Sequence, residues 1–268
     1  MIAYYQFIFN YRDKEIPFRV FTHHNTTAVR RALFLGTLQT PRLARKVASL
    51  CPADTVVVQG APHWKADKSG ATIPDFMFQF TETALDKIRR HFTIPAKITL
   101  IAESQATPAI IKLGTKQSVE AIVIMQPLGL NSQSFPGTLA QKSQELTRRM
   151  RKNFTHQLPA LLRDANLRYN HTILAALSAR ESLLGRAANQ YGAGLAYDSL
   201  PDLQKVAAKT HIILGEQDEL FPPKEIIPTL ELHNIKCASV VIVPNTPHSP
   251  LSSKAGREFL RQAFAESR

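Results

Sequence analysis

The stretch KITLIAESQATPAIIKLG passes from a continuous apolar run into a helix-like one, and Ser104 stands at the joint. A serine in that place has two possible uses. As a nucleophile, its hydroxyl attacks an electron-poor carbon while a neighbouring base removes the proton. As a turn residue, it only caps the helix that follows. Other reactive side chains are less suggestive. Cys51 and Cys237 lie far apart and lack metal-ligand spacing, so they read as buried free thiols, and no metal or other cofactor is expected.

A nucleophile needs a scaffold that fixes its partners, and the chain can supply one. Its 268 residues suffice for one large α/β domain or two small ones. Apolar residues make up 44% and charged residues 20%, without repeats or low-complexity runs, which argues against disorder and solenoids. The beginning, MIAYYQFIFNYRDKEIPF, has no basic start, long apolar core or small-residue cleavage site, and no run of apolar residues is long enough to span a membrane. A cytoplasmic protein without an integral membrane segment is expected. The net charge of +12 raises the question of nucleic acid. However, the basic residues are spread along the chain, and the densest cluster, RRMRK at 148 to 152, is not interleaved with stacking aromatics. That cluster is expected to form a solvated helix face, with no nucleic-acid partner.

The order of elements follows from hydrophobic periodicity. IAYYQFIFNY and IPFRVFTH flank the polar RDKE and read as a hairpin. RALFLG reads as a strand, TPRLARKVASL as a helix begun by Thr40 and Pro41, and DTVVVQG as another strand. FTETALDKIRRHF has helical spacing and leads to the strand KITLIAE; TPAIIKLG then reads as a short helix closed by Gly114. EAIVIMQPLG is a further continuous apolar strand. Such strands alternating with helices imply a mostly parallel sheet covered on both faces. Residues 131 to 204 interrupt this rhythm with long helical patterns, and THIILG, KEIIPTLELHN, CASVVIVP and SKAGREFLRQAFAES resume it. The expected organisation is a core of residues 1–130 and 205–268 with a helical cap at 131–204, a kind of insertion that shapes a substrate pocket.

Around Ser104 the order is strand, Ala102-Glu103-Ser104-Gln105-Ala106, then helix. This resembles the nucleophile elbow G-x-S-x-G of the α/β-hydrolase family, with alanine at both glycine places. The turn tolerates only small residues two positions either side of the nucleophile. The resemblance extends from the first hairpin to the last helix. It implies the α/β-hydrolase fold, a mostly parallel central sheet with helices on both faces and a helical cap. It also implies a triad in the chain order Ser, acid, His, with each member on a loop at a strand's carboxyl end. IILGEQDELFPP puts Asp218 in the place of the family's acid, and VVIVPNTPHSPL puts His248 in the place of its histidine, with Pro247 where a glycine is usual. Glu216 and Glu219 share the acid loop and remain rivals to Asp218; the loop after AIVIMQPLG carries no carboxylate in LNSQS. Each residue also has a plainer reading: Ser104 as a helix cap, Asp218 as a turn residue, and His248 as a loop histidine.

The resemblance implies a cofactor-independent serine hydrolase that cleaves a carboxylic ester or related acyl bond through an acyl-enzyme. His248 acts as base and Asp218 orients it. Backbone N–H groups of Gln105 and Thr37 form the oxyanion hole; the family's His-Gly-x stretch is here Leu35-Gly36-Thr37. The expected partner is a small acyl substrate, and the sequence leaves the oligomeric state open. An acyltransferase of the same fold, or a binding protein that retains it, are the alternatives. A serine nucleophile argues against the aspartate-dependent epoxide hydrolases and dehalogenases.

Overall fold

The structure, a computed structural model, describes residues 2–11, 14–23, 31–36, 54–59, 73–92, 98–130, 135, 137–138, 141–142, 144–149, 152, 197–246, 248 and 253–266. Among these, eight strands form one sheet: β1 (Ile2–Tyr11), β2 (Lys14–His23), β3 (Arg31–Gly36), β4 (Asp54–Gln59), β5 (Ile98–Glu103), β6 (Val119–Met125), β7 (Thr210–Gly215) and β8 (Ser239–Val243). Their spatial order is β1-β2-β4-β3-β5-β6-β7-β8. The first two strands form an antiparallel hairpin whose β2 runs antiparallel to β4, and every pairing from β4 to β8 is parallel.

The side-chain patterns account for this division. β1 alternates half-buried and exposed positions until Phe9, as suits a strand covered on one face. Phe9 and Phe18 turn inward against Phe80 of helix α1 (Ile73–Phe92). β5 is buried at every position from Ile98 to Ala102, and β6 is buried at all but Glu120. They are central strands covered on both faces, and their continuous apolar sequence reflects it.

Helix α2 (Thr107–Lys116) follows β5 and lies over the sheet. Pro108 occupies its first turn, where a missing N–H costs nothing. Gly114 does not close this helix, as its sequence suggested. It lies within it, because a Cβ at that position would collide with the Ile122 side chain of β6. The glycine serves the close approach of helix to strand, and the C-cap falls at Gln117. Helix α3 (Leu200–Val206) packs Leu200, Leu203 and Val206 inward and runs through residue 204, the expected end of the cap. Helix α4 (Pro223–Leu232) follows β7, and α5 (Lys254–Glu266) follows β8. The expected helix at 41–50 and most of the expected cap, 153–196, lie outside the described residues. No helix among the described residues is long and apolar enough to cross a membrane.

Candidate active site

Ser104 ends β5's run and begins a 3-10 turn, Ser104–Ala106, that leads directly into α2. Its φ is 54°, in the left-handed region that costs a non-glycine residue about 1–2 kcal/mol. Such strain persists only where the surroundings fix the turn. Here they do: Ala102 and Ala106 are both buried, and the Leu128 N–H donates to the Ser104 carbonyl at 3.3 Å. The alanines meet the elbow's demand for small residues, since the strained backbone falls on Ser104 itself.

The histidine and the acid arrive on the loops that follow β8 and β7. The Ser104 Oγ lies 3.2 Å from His248 Nε2, and His248 Nδ1 lies 3.0 Å from Asp218 Oδ2. A carboxylate can only accept, so Nδ1 carries the proton and Nε2 presents its lone pair to the serine hydroxyl. The other carboxylate oxygen, Oδ1, accepts the Leu220 N–H at 2.8 Å and the Phe221 N–H at 3.2 Å. Asp218 is 2% exposed and every oxygen of its side chain is engaged.

The two loops are joined to each other. The Glu216 N–H donates to the Val243 carbonyl and the Gln217 N–H to the Thr246 carbonyl, both at 3.0 Å, extending the β7–β8 ladder past its end. Glu216 Oε2 accepts the Asn245 N–H at 2.8 Å. Just beyond His248, Ser253 caps α5 by accepting the Gly256 N–H at 2.8 Å. The Phe221 ring packs 5.5 Å from the His248 ring, centroid to centroid.

These contacts separate the three carboxylates of the acid loop. Asp218 faces the histidine, Glu216 holds the backbone of the histidine loop, and Glu219 pairs with Lys152 at 2.8 Å. Gln105 is the middle residue of the 3-10 turn. Thr37 lies outside the described residues; the β3–β5 pairing ends at Leu35 opposite Ala102, so the chain leaving β3 starts beside the elbow. Burial alone would pull the His248 pKa down. The charge of Asp218, its hydrogen bond and the charge of Glu103 outweigh burial and hold it above the ordinary value of 6.5.

Glu103, whose place beside Ser104 argued against it as the acid, leaves that contact to Asp218, and its charge adds to the field of Asp218 at His248. Arg149 was expected on a solvated face with the rest of RRMRK. That expectation holds for Arg148, whose side chain is 64% exposed, and fails for Arg149, which is 7% exposed and paired with Glu145 and Glu225. A run of basic residues gives no sign of which one turns inward, since Glu145 stands at a helical offset from Arg148 and Arg149 alike and pairs with both.

No protein-family model matches the chain, and no curated protein is similar to it in sequence. Solved structures do match over nearly its whole length. A bromoperoxidase from Bacillus anthracis superposes with a TM-score of 0.66 at 14% identity, covering 98% of this chain and 99% of that one. An alpha/beta hydrolase enzyme from a Medee basin deep-sea metagenome library gives 0.64 at 16% identity, covering 96% of each. A thermophilic esterase from Thermogutta terrifontis gives 0.61 at 16% identity, covering 98% and 97%. Strand order, parallel sheet and these superpositions agree: the chain has the α/β-hydrolase fold.

Proposed function

We propose that this protein is a cofactor-independent serine hydrolase that cleaves a carboxylic ester or related acyl bond, and that Ser104, His248 and Asp218 are its triad. The observation that carries this reading is the unbroken relay of contacts from Ser104 Oγ to His248 Nε2 and from Nδ1 to Asp218. Several structural neighbours point the same way, being described as esterases or as a serine hydrolase involved in carbazole degradation.

In this mechanism His248 takes the Ser104 proton as Oγ attacks the acyl carbon. Asp218 keeps the imidazole in the tautomer that leaves Nε2 free and stabilises the imidazolium that forms. The proton then passes to the leaving alcohol, and water cleaves the acyl-enzyme with His248 again as base. The oxyanion is held by the backbone N–H groups of Gln105 and Thr37, the first of which lies in the 3-10 turn that leads into α2. Residues 131–204 act as a cap that shapes the acyl pocket, and the substrate is a small acyl compound of the cytoplasm. Acyl transfer to an alcohol or thiol uses the same residues and differs only in the second nucleophile.

The test combines labelling with turnover. A fluorophosphonate probe is expected to add one phosphonyl group, mapped to the peptide with Ser104, and Ser104→Ala is expected to abolish both labelling and hydrolysis across a panel of esters of increasing acyl length. Labelling that persists in Ser104→Ala, or maps to another serine, refutes the assignment.

A further inference from the structure

The loop that carries Asp218 is held from outside by the helical residues 144–149, and Arg149 makes most of that attachment. Its Nη1 donates to Glu225 Oε2 at 2.7 Å and lies 3.4 Å from the Leu220 carbonyl oxygen. Its Nε donates to Glu145 Oε1 at 2.8 Å, one turn back on its own helix. The guanidinium carbon sits 4.3 Å from the centroid of the Phe135 ring, and Phe135 is buried. Leu220 and Glu225 are not arbitrary partners. The N–H of Leu220 is one of the two that hold Asp218 Oδ1, and Glu225 lies in the first turn of α4, immediately after the acid loop.

We propose that Arg149 is a positioning residue: it fixes the turn 218–221 from its outer side and so sets the direction in which Asp218 meets His248. The inference rests on the triad reading above and extends it to a residue of the expected cap, so that the base of the insertion and the acid loop form one unit. Lys152, which pairs with Glu219 at 2.8 Å, adds a second and more exposed tie between the same two segments. Arginine suits the task because its planar guanidinium serves Glu145 through Nε while Nη1 serves Glu225 and the Leu220 carbonyl, which a lysine ammonium at the end of a flexible stem does not.

Arg149→Lys is the informative variant, because it keeps the charge and removes the fork. We expect kcat for an activated ester to fall about tenfold at the alkaline plateau with KM within about threefold. The acid limb of kcat/KM should move to lower pH as Asp218 drifts from the imidazole. Merely losing a positive charge near His248 would move that limb the other way, and the lysine excludes that effect. A purely structural arginine lowers the melting temperature but leaves kcat, KM and the limb of the folded enzyme at wild-type values; that result overturns the proposal. Should Arg149→Lys not fold, Glu225→Gln decides alone, with a threefold or greater fall in plateau kcat expected and an unchanged kcat overturning it. One readout needs no turnover and so separates this inference from the assignment of the reaction. The proton on His248 Nδ1 gives a far-downfield resonance, which is expected to broaden or move upfield in the variant. A resonance identical to wild type overturns the positioning role even if the protein hydrolyses no ester.

Discussion

Replacing Asp218 by asparagine changes one atom, and the structure allows its cost to be worked out. The two carboxylate oxygens have different tasks: Oδ1 accepts two backbone N–H groups, from Leu220 and Phe221, and Oδ2 accepts the imidazole Nδ1–H. An asparagine has one oxygen and must choose. With the oxygen at the Oδ1 place both backbone donors are satisfied, and the NH₂ group faces His248, which must then turn an unprotonated Nδ1 toward it. That tautomer puts the proton on Nε2, where it blocks the removal of the Ser104 proton. The opposite orientation keeps the useful tautomer but points NH₂ at two buried N–H groups. Leaving buried donors unsatisfied costs about 1–3 kcal/mol each. Taking about 3 kcal/mol for the pair, the inactive orientation prevails about a hundredfold, at 1.36 kcal/mol per factor of ten. Loss of the carboxylate charge beside the imidazolium adds to this, so kcat is expected to fall by about 10²–10⁴. The assay is steady-state hydrolysis of an activated ester, with circular dichroism and melting temperature as controls. Glu216→Gln and Glu219→Gln are expected to cost less than about tenfold, since one carboxylate braces the histidine loop and the other pairs with Lys152. A kcat for Asp218→Asn within tenfold of wild type, or a crippled Glu216→Gln, refutes the reasoning.

Further outcomes concern pH dependence, the oxyanion donors and the two arginines. The acid limb of kcat/KM should lie above pH 6.5, because His248 must be neutral to act and its pKa is held up by Asp218 and Glu103; Glu103→Gln should move the limb down. The same raised pKa stabilises the fold fully below the unfolded value and is lost as pH climbs through the folded one, so the melting temperature should lose this increment over the interval in which activity appears. Gln105→Ala and Thr37→Ala keep their backbone N–H groups and should each retain activity within about tenfold, against about 10²–10³ for a lost oxyanion donor; a fall in Thr37→Ala as deep as that of Ser104→Ala refutes the backbone role. Arg148→Glu, on an exposed and solvent-screened ion pair, should leave stability close to wild type. Arg149→Glu sets a carboxylate beside Glu145 and Glu225 and should cost about 3 kcal/mol or more, read by denaturant unfolding.

The parallel part of the sheet was legible because its strands lie in largely apolar runs. RALFLG is β3 residue for residue, THIILG and SVVIV lie within the runs that announced β7 and β8, and β6 begins at Val119, one residue before the run EAIVIMQPLG. Chain order then put Ser104, Asp218 and His248 at the ends of β5, β7 and β8, where the structure brings them within hydrogen-bond reach. What stayed hidden depends on contacts between distant segments. Helix α1 begins at Ile73, well before FTETALDKIRRHF, since IPDFMFQF carries an apolar pattern that suits strand as well as helix. Gly114 looked like a helix end because local rules cannot see Ile122 across the helix–sheet interface. Arg149 looked like its neighbours because its partners, Glu225 and the Leu220 carbonyl, lie more than seventy residues away.

The pairing of β6 with β7 has a consequence for how the chain may be divided. Residues up to 130 carry β1 to β6 and the serine; residues from 197 onward carry the acid and the histidine, already locked together by the β7–β8 extension. The two parts meet along Ile122–Met125 opposite Thr210–Ile213, through the Gln126 N–H bonded to the Ile213 carbonyl at 3.0 Å, and through α2 and α3, where Gly114 lies close to Val206. On the proposed triad, a cut between them separates Ser104 from His248 and Asp218, so that the hydroxyl and its proposed base lie on different fragments. Each also exposes a buried apolar strand edge, which only the other can cover. If the proposed function holds, neither half alone is expected to turn over an ester, and turnover in a mixture of the two counts reassembled molecules.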